Sequence, residues 1–282
     1  IGFVLLAVLV LVFLNISARR LSPESFFLII FLQIFGLMAS APHLGVRMQE
    51  SALLFLFLLL CIINRYQRRS DWRFLFFLPP LMYLWACLHG SFLIGFFLLG
   101  VWLGIKILEK LVTKFWPKVY FDLSNILSWP ELLIFAGVAF LSFVTTLLTP
   151  YKFSLYAFLG GYRNSFYLSY ISEWLSQFSF PLQYFQLFYL ALVVLCLILY
   201  FYYSLGSEKY FKLNLWKLAL LGIFVILSFK SRRHFPLLFV ASFAFLVEVY
   251  GRIFKAAISG NRHFQWKGWL NYILLFCLFL VS

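Results

Sequence analysis

Long apolar runs separated by short basic clusters make up most of the chain. Apolar segments over Gly2–Ile16, Pro23–Ser40, Pro42–Ile63, Phe74–Leu88, Phe92–Leu108, Trp129–Leu148, Pro181–Ser204, Leu215–Ser228, Phe235–Tyr250 and Leu270–Val281 predict ten helices. Several are shorter than the roughly 20 residues that span hydrocarbon, which a bundle accommodates by local thinning or buried helix ends. Ser22 before Pro23, and Ser40 two residues before Pro42, read as helix starts. Ser128 with Glu131 reads as a capping box around Trp129 and Pro130. One helix over Phe74–Leu108 would reach about 50 Å, too long for a single crossing, so His89-Gly90-Ser91 is read as a break. Pro79 and Pro80 are expected to kink the first half.

Composition turns these helices into membrane spans. Of the 282 residues 64% are apolar and 11% charged, too few polar groups to cover a water-soluble surface around that much apolar area. The expected fold is all-α, a polytopic transmembrane bundle of about ten spans forming a single domain over residues 1–282, with an outer-face loop at 149–180. The net charge of +14 falls in short clusters rather than on one basic face, so nucleic acid is not an expected partner. Alternate loops hold seventeen of the twenty-three Lys and Arg residues, which assigns those loops to the cytoplasmic side. The outer side keeps Arg47, Lys152, Arg163, Lys230, Arg232 and Arg233. Cys61, Cys87, Cys196 and Cys277 lie inside apolar runs without metal-like spacing and read as buried packing. The chain begins and ends inside apolar runs, as expected of a piece of a longer multi-span protein.

On this orientation the residues able to do chemistry gather on the outer side. His43, Arg47 and Glu50 follow at i, i+4 and i+7 in the third predicted helix and share one stripe. Trp85 and His89 stand one turn apart at the end of the fourth. The outer loop carries Tyr151, Arg163, Glu173 and Trp174, and its aromatic and small residues predict amphipathic segments at the interface. Several of these also have plain structural uses: an Arg47–Glu50 pair, a helix-end His89, interfacial Tyr151 and Trp174, and a solvated Glu173. Glu248 is expected to pair with Arg252. The turn Lys230-Ser231-Arg232-Arg233-His234 differs, because it sets cationic and titratable groups on the side where positive residues are disfavoured. Arg offers a planar donor fork and Lys a point charge, which suits a phosphate or an anionic lipid head group. No GxGxxG, Walker, HExxH or CxxC pattern occurs. No protein metal site or bound cofactor is expected, and a divalent metal accompanying the substrate stays open.

The stretches Arg47-Met48-Gln49, Trp85-Ala86-Cys87-Leu88-His89-Gly90-Ser91-Phe92, Thr149-Pro150-Tyr151 and Ile171-Ser172-Glu173-Trp174 resemble motifs of a family of bacterial multi-pass proteins. That family is similar to the GT-C glycosyltransferase superfamily, and the resemblance spans roughly Ser40 to Pro236. Its first motif commonly reads Arg-Pro-Gln and its second Trp-x-Asn-x-His-Gly. Here Met48 replaces the Pro, and Cys87 replaces the Asn and its hydrogen-bonding amide. The resemblance implies a multi-pass enzyme of the bacterial inner membrane. It would take a sugar from a polyprenyl-phosphate carrier and pass it to a lipid, glycan or protein acceptor on the outer face. Superfamily members use an Asp in the first outer loop, which is expected upstream of Ile1. Among the carboxylates present, only Glu173 and Glu50 fall on the predicted outer side. The implied catalytic groups are Glu173, assisting the acceptor, and His89. Arg47, Glu50, Tyr151, Arg163, Trp174, Lys230, Arg232, Arg233 and His234 would bind substrate, the cations of the last turn taking the donor phosphate. Competing classes are a transporter or flippase for a lipid-linked or anionic solute, an O-antigen ligase- or polymerase-like protein, and a structural subunit. Transporters place polar residues at mid-bilayer depth on interrupted helices, whereas the candidates here crowd at one face. The expected partners are membrane lipid and a polyprenyl-phosphate sugar.

Overall fold

The computed structural model describes residues 2–21, 25–44, 49–69, 71–115, 126–162, 171, 174–179, 181–205 and 213–258. The fold is all-helical. Its helices are α1 (Gly2–Leu21), α2 (Phe26–Ser40), α3 (Gln49–Arg69), α4 (Leu78–Leu88), α5 (Phe92–Phe115), α6 (Trp129–Thr146), α7 (Lys152–Tyr162), α8 (Tyr184–Leu205), α9 (Leu215–Lys230) and α10 (Phe235–Ile258). Short 3₁₀ turns at Ala41–His43, Trp72–Phe77 and Arg232–His234 lie between them. Six segments among the described residues are long and apolar enough to cross a membrane: Phe26–His43, Gln49–Arg68, Phe92–Lys114, Trp129–Thr146, Tyr184–Ser204 and Arg232–Lys255. These six do not establish the expected count of about ten; among the described residues the stretches Ala7–Arg19, within α1, and Trp72–Leu88 are further, shorter apolar helical segments. The predicted segment Leu270–Val281 lies outside the described residues.

Local chemistry explains where the helices start and stop. The capping box forms, Ser128 N–H donating to Glu131 Oε2 at 2.6 Å and Glu131 N–H to Ser128 Oγ at 3.4 Å. The break also forms: His89 is extended at φ −157°, ψ 136°, and α5 begins at Phe92. Pro79 and Pro80 start α4 rather than kink a longer helix, because in a first turn the missing N–H breaks no bond. Ser40 ends α2 and stands directly before the 3₁₀ turn Ala41–His43, with Pro42 in its first positions, but its hydroxyl donates back to Gly36 O at 2.7 Å rather than capping that turn. His43 sits in a separate 3₁₀ turn followed by an extended Leu44, so His43 does not continue the α3 stripe that carries Glu50; Arg47, the middle residue of the expected stripe, lies outside the described residues. Helix α5 runs seven residues past Leu108, to Phe115, because its cations find partners: Lys106 pairs with Glu109 at 2.7 Å and Lys110 donates to Leu127 O at 2.7 Å. Cys196 is buried as expected, but Cys61 and Cys87 are exposed on the bundle surface.

Helix α10 is the axis, the most deeply buried of the six long segments, packed against α1, α2, α3, α8 and α9. Its closest approach is to α2, where a Cβ on Gly36 would lie 2.1 Å from the Phe239 ring. Inside this group Tyr189 Oη and Ser242 Oγ share a hydrogen bond of 2.9 Å, and Gln186 Nε2 donates to Ala39 O at 3.1 Å. A second group joins α3 to α4, α5 and α6 around the fully buried rings of Tyr66, Trp102 and Phe135. Trp102 and Phe135 have centroids 4.2 Å apart, and Tyr66 Oη donates to Glu131 O at 2.7 Å. Helix α3 belongs to both groups. Basic side chains collect where α1, α3, α5 and α10 end: Arg19 over Phe26, Arg65 over Phe74 and Lys110 over Trp129. At the same end Glu248 pairs with Arg252 at 3.0 Å, as expected, and also with Lys217 at 2.5 Å.

Candidate anion-binding cavity

At the opposite end α3 begins, α4 gives way to α5, and the Arg232–His234 turn feeds α10. A cavity of about 430 Å³ opens where these elements meet. Its polar lining is His43, Gln49, Glu50, His89, Ser91, Trp174, Arg233 and His234, and its walls include Leu53, Ile94, Phe158 and Leu159.

Arg233 is the centre of the site. Its guanidinium lies 4.6 Å from the Trp174 ring centroid, a cation–π contact with the segment 174–179. The Gln49 carboxamide, oxygen turned toward the cation, accepts from Arg233 Nη2 at 2.8 Å and Nε at 3.0 Å. Arg233 Nη2 also stands 3.4 Å from His89 Nε2. A guanidinium bound on its face by Trp174 and along its Nε–Nη2 edge by Gln49 is fixed in direction before any ligand arrives.

Of the three histidines on the cavity, His89 and His234 are set in opposite senses. His89 Nδ1 lies 2.7 Å from Ser91 Oγ and receives the Ser91 N–H at 3.1 Å, while Trp85 Nε1 donates to the same Oγ at 2.9 Å. Burial, then the charge of Arg233, pushes the His89 pKa down to about 4, so its ring is neutral near pH 7. His234 Nδ1 stands 3.1 Å from Leu227 O. A carbonyl only accepts, so Nδ1 carries the proton and a neutral His234 keeps Nε2 as an acceptor. Glu50 is buried in the first turn of α3, where the helix N-terminus favours a carboxylate.

Of the residues anticipated from sequence, His89, Glu50, Trp174, Arg233 and His234 come together on this cavity. Arg47, Arg163 and Glu173 lie outside the described residues. Tyr151 is 67% exposed just before α7, and Lys230 is exposed at the end of α9; neither lines the cavity. Arg232 is 2% exposed and bound to the segment 174–179: its Nε donates to Ser176 O at 3.2 Å, its Nη2 to Ser179 O, and its backbone N–H to Leu175 O at 3.1 Å. It anchors that segment and does not line the cavity. Gln49 and Ser91 were legible only as letters inside motifs, since their roles depend on the contacts with Arg233 and Trp85.

No protein-family model, curated protein or solved structure matches this chain. Among the described residues no group of three or more His, Cys, Asp or Glu side chains could hold a metal ion.

Proposed function

We propose that the chain belongs to a GT-C-like membrane glycosyltransferase of the bacterial inner membrane, which binds a polyprenyl-phosphate-linked sugar in this cavity. The observation that carries the reading is the fixed guanidinium of Arg233, held with the buried carboxylate of Glu50 and three histidines, His43, His89 and His234, in a cavity that also has apolar walls. A prenyl phosphate has matching halves, an anionic head for Arg233 and first isoprene units for Leu53, Phe158 and Leu159. In the transfer Glu50 takes the proton of an acceptor hydroxyl as that oxygen attacks the anomeric carbon. The bond from that carbon to the phosphate oxygen breaks, its electron pair leaves on the phosphate, and Arg233 stabilises the charge. Arg232 contributes indirectly, by holding the segment that brings Trp174 onto Arg233.

The test uses membranes containing the full chain and a radiolabelled polyprenyl-phosphate sugar. Conversion to polyprenyl phosphate and a glycosylated product is expected, and Arg233→Ala should cut it by roughly a hundredfold or more. Transfer that survives Arg233→Ala would remove the cavity from the mechanism. Movement of the labelled lipid between leaflets with its sugar–phosphate bond intact would establish the transporter class instead.

A further inference from the structure

We infer that the cavity is entered sideways, from the bilayer, through a portal between α5 and α7, and that α7 is its door. The inference concerns the route and rests on the proposed reading only for the identity of what passes through. Burial of the cavity walls shows where they are thin. On the α3 and α10 sides Ala52, Leu53 and Leu237 line the cavity and are buried, so the bundle stands behind them. On the α5 and α7 sides Leu93 is 40% and Phe158 68% exposed although both line the cavity, so the wall there is one side chain thick. Leu93 stands at the start of a segment long and apolar enough to cross a membrane. Phe97, one turn further on the same face, is exposed as well. Apolar surface therefore runs from the lipid-facing side of α5 into the cavity.

Helix α7 has a hinge, a latch and a seal. Its first residue, Lys152, follows Pro150-Tyr151 and is left-handed at φ 47°, a conformation uncommon for any residue but glycine. Tyr156 is the latch. Its ring lies between Phe92 and Phe143, with centroids 5.6 Å from each, and its Oη shares a 2.5 Å hydrogen bond with Thr146 Oγ1. Leu159 is the seal, closing on the α4–α5 break where a Cβ on Gly90 would lie 2.8 Å from its Cδ2. Glycine at that position lets Leu159 lie against bare backbone. Tyr156 is about 6 Å along the helix from Lys152 and Leu159 about 10 Å, so a small swing at the latch moves the seal nearly twice as far. Opening toward lipid replaces one apolar neighbour of Leu93, Phe158 and Leu159 with another, whereas opening the same contact to water would expose all three. The door therefore admits an amphiphile that arrives with its tail in the bilayer.

The full chain in lipid nanodiscs, its native cysteines replaced, tests the route through Leu53→Cys on the buried far wall. Two reagents are compared: N-dodecylmaleimide carried in the bilayer, and a sulfonated maleimide confined to water. Each rate is taken relative to an exposed reference, Phe97→Cys for the first and Tyr184→Cys for the second. The relative rate of the bilayer reagent is expected to be higher by roughly tenfold or more, since only it meets an apolar path. An equal or higher relative rate for the sulfonated reagent overturns the lipid route. Tyr156→Phe keeps the ring and loses the bond to Thr146, and it should speed bilayer labelling at position 53 several-fold. An unchanged rate refutes the latch. Gly90→Cys with Leu159→Cys tests the door in one protein, oxidised and then reduced. The disulfide is expected to form and to stop sugar transfer from a polyprenyl-phosphate donor, and dithiothreitol to restore it. A pair that cannot be oxidised refutes the seal. Bilayer labelling as expected with no sugar transfer in either state keeps the portal and refutes the transferase, whereas transfer that persists in the oxidised protein keeps the transferase and refutes the door.

Discussion

Three consecutive residues of one turn do three different jobs. Arg232 points into the segment 174–179, Arg233 reaches Gln49, His89 and Trp174, and His234 bonds back to Leu227. A 3₁₀ turn has three residues per revolution, so successive side chains leave the axis about 120° apart. In sequence the three form one cationic cluster, and their common charge was legible while their division of labour was not. Arg232→Ala strips the buried fork from two partly buried carbonyls and should cost about 3 kcal/mol, read as a lower midpoint in thermal unfolding of the solubilised protein. Protease cleavage within residues 174–179 should rise with it. Arg232→Lys should not restore either property, because a point charge cannot replace the planar fork. An unchanged midpoint in Arg232→Ala would show that the segment is held by other contacts.

Elements were legible where their signals are local. The Ser128–Glu131 box and the His89–Ser91 break are written within four residues, and both form where the sequence places them. Pro79, Pro80 and Ser40 were ambiguous for the opposite reason. A proline breaks a helix or begins one according to whether the preceding turn is α-helical, and a serine caps or closes according to which side continues. Tertiary packing settles both. Gly36 shows the same dependence, a small residue whose value lies in the Phe239 ring across the α2–α10 contact. Gly36→Ala should destabilise the bundle by about 1–3 kcal/mol, since the atoms in the way include the stem carbon of a buried ring. Adding Phe239→Leu should recover part of that loss. Gly104→Ala on α5, where an added Cβ meets nothing within 4 Å, should be neutral or stabilising in the same melt. Equal costs at the two glycines would rule out the close approach.

The whole molecule sorts its chemistry by end. Arg19, Arg65, Lys110, Lys217 and Arg252 meet aromatic or acidic partners at one end, and the cavity with Arg233 lies at the other. If the charge bias orients the bundle, the two ends face opposite sides of the membrane. Tyr184 at the cavity end is 77% exposed and Trp72 at the basic end 48% exposed, so each suits a reporter cysteine in a chain whose native cysteines have been replaced. A membrane-impermeant maleimide applied outside intact cells should label Tyr184→Cys at once, and Trp72→Cys only after permeabilisation. Labelling of both from one side would contradict the alternation of helices, and the reverse pattern would turn the cavity inward.

Sequence alone determined the helical, lipid-facing character of the chain, its charge asymmetry, and the short list from which the cavity residues come. Those properties follow from apolar run length and local spacing, which act within a few turns of helix. The tertiary structure alone decided that Glu50, His89, Trp174 and Arg233, far apart in the chain, share one cavity while Arg232 and Lys230 do not. It also decided that Gln49 and Ser91 belong beside them. Direction is the physical reason: composition places a charge at a membrane face, but only the crossing of α3, the α4–α5 break and α10 fixes which way each donor points.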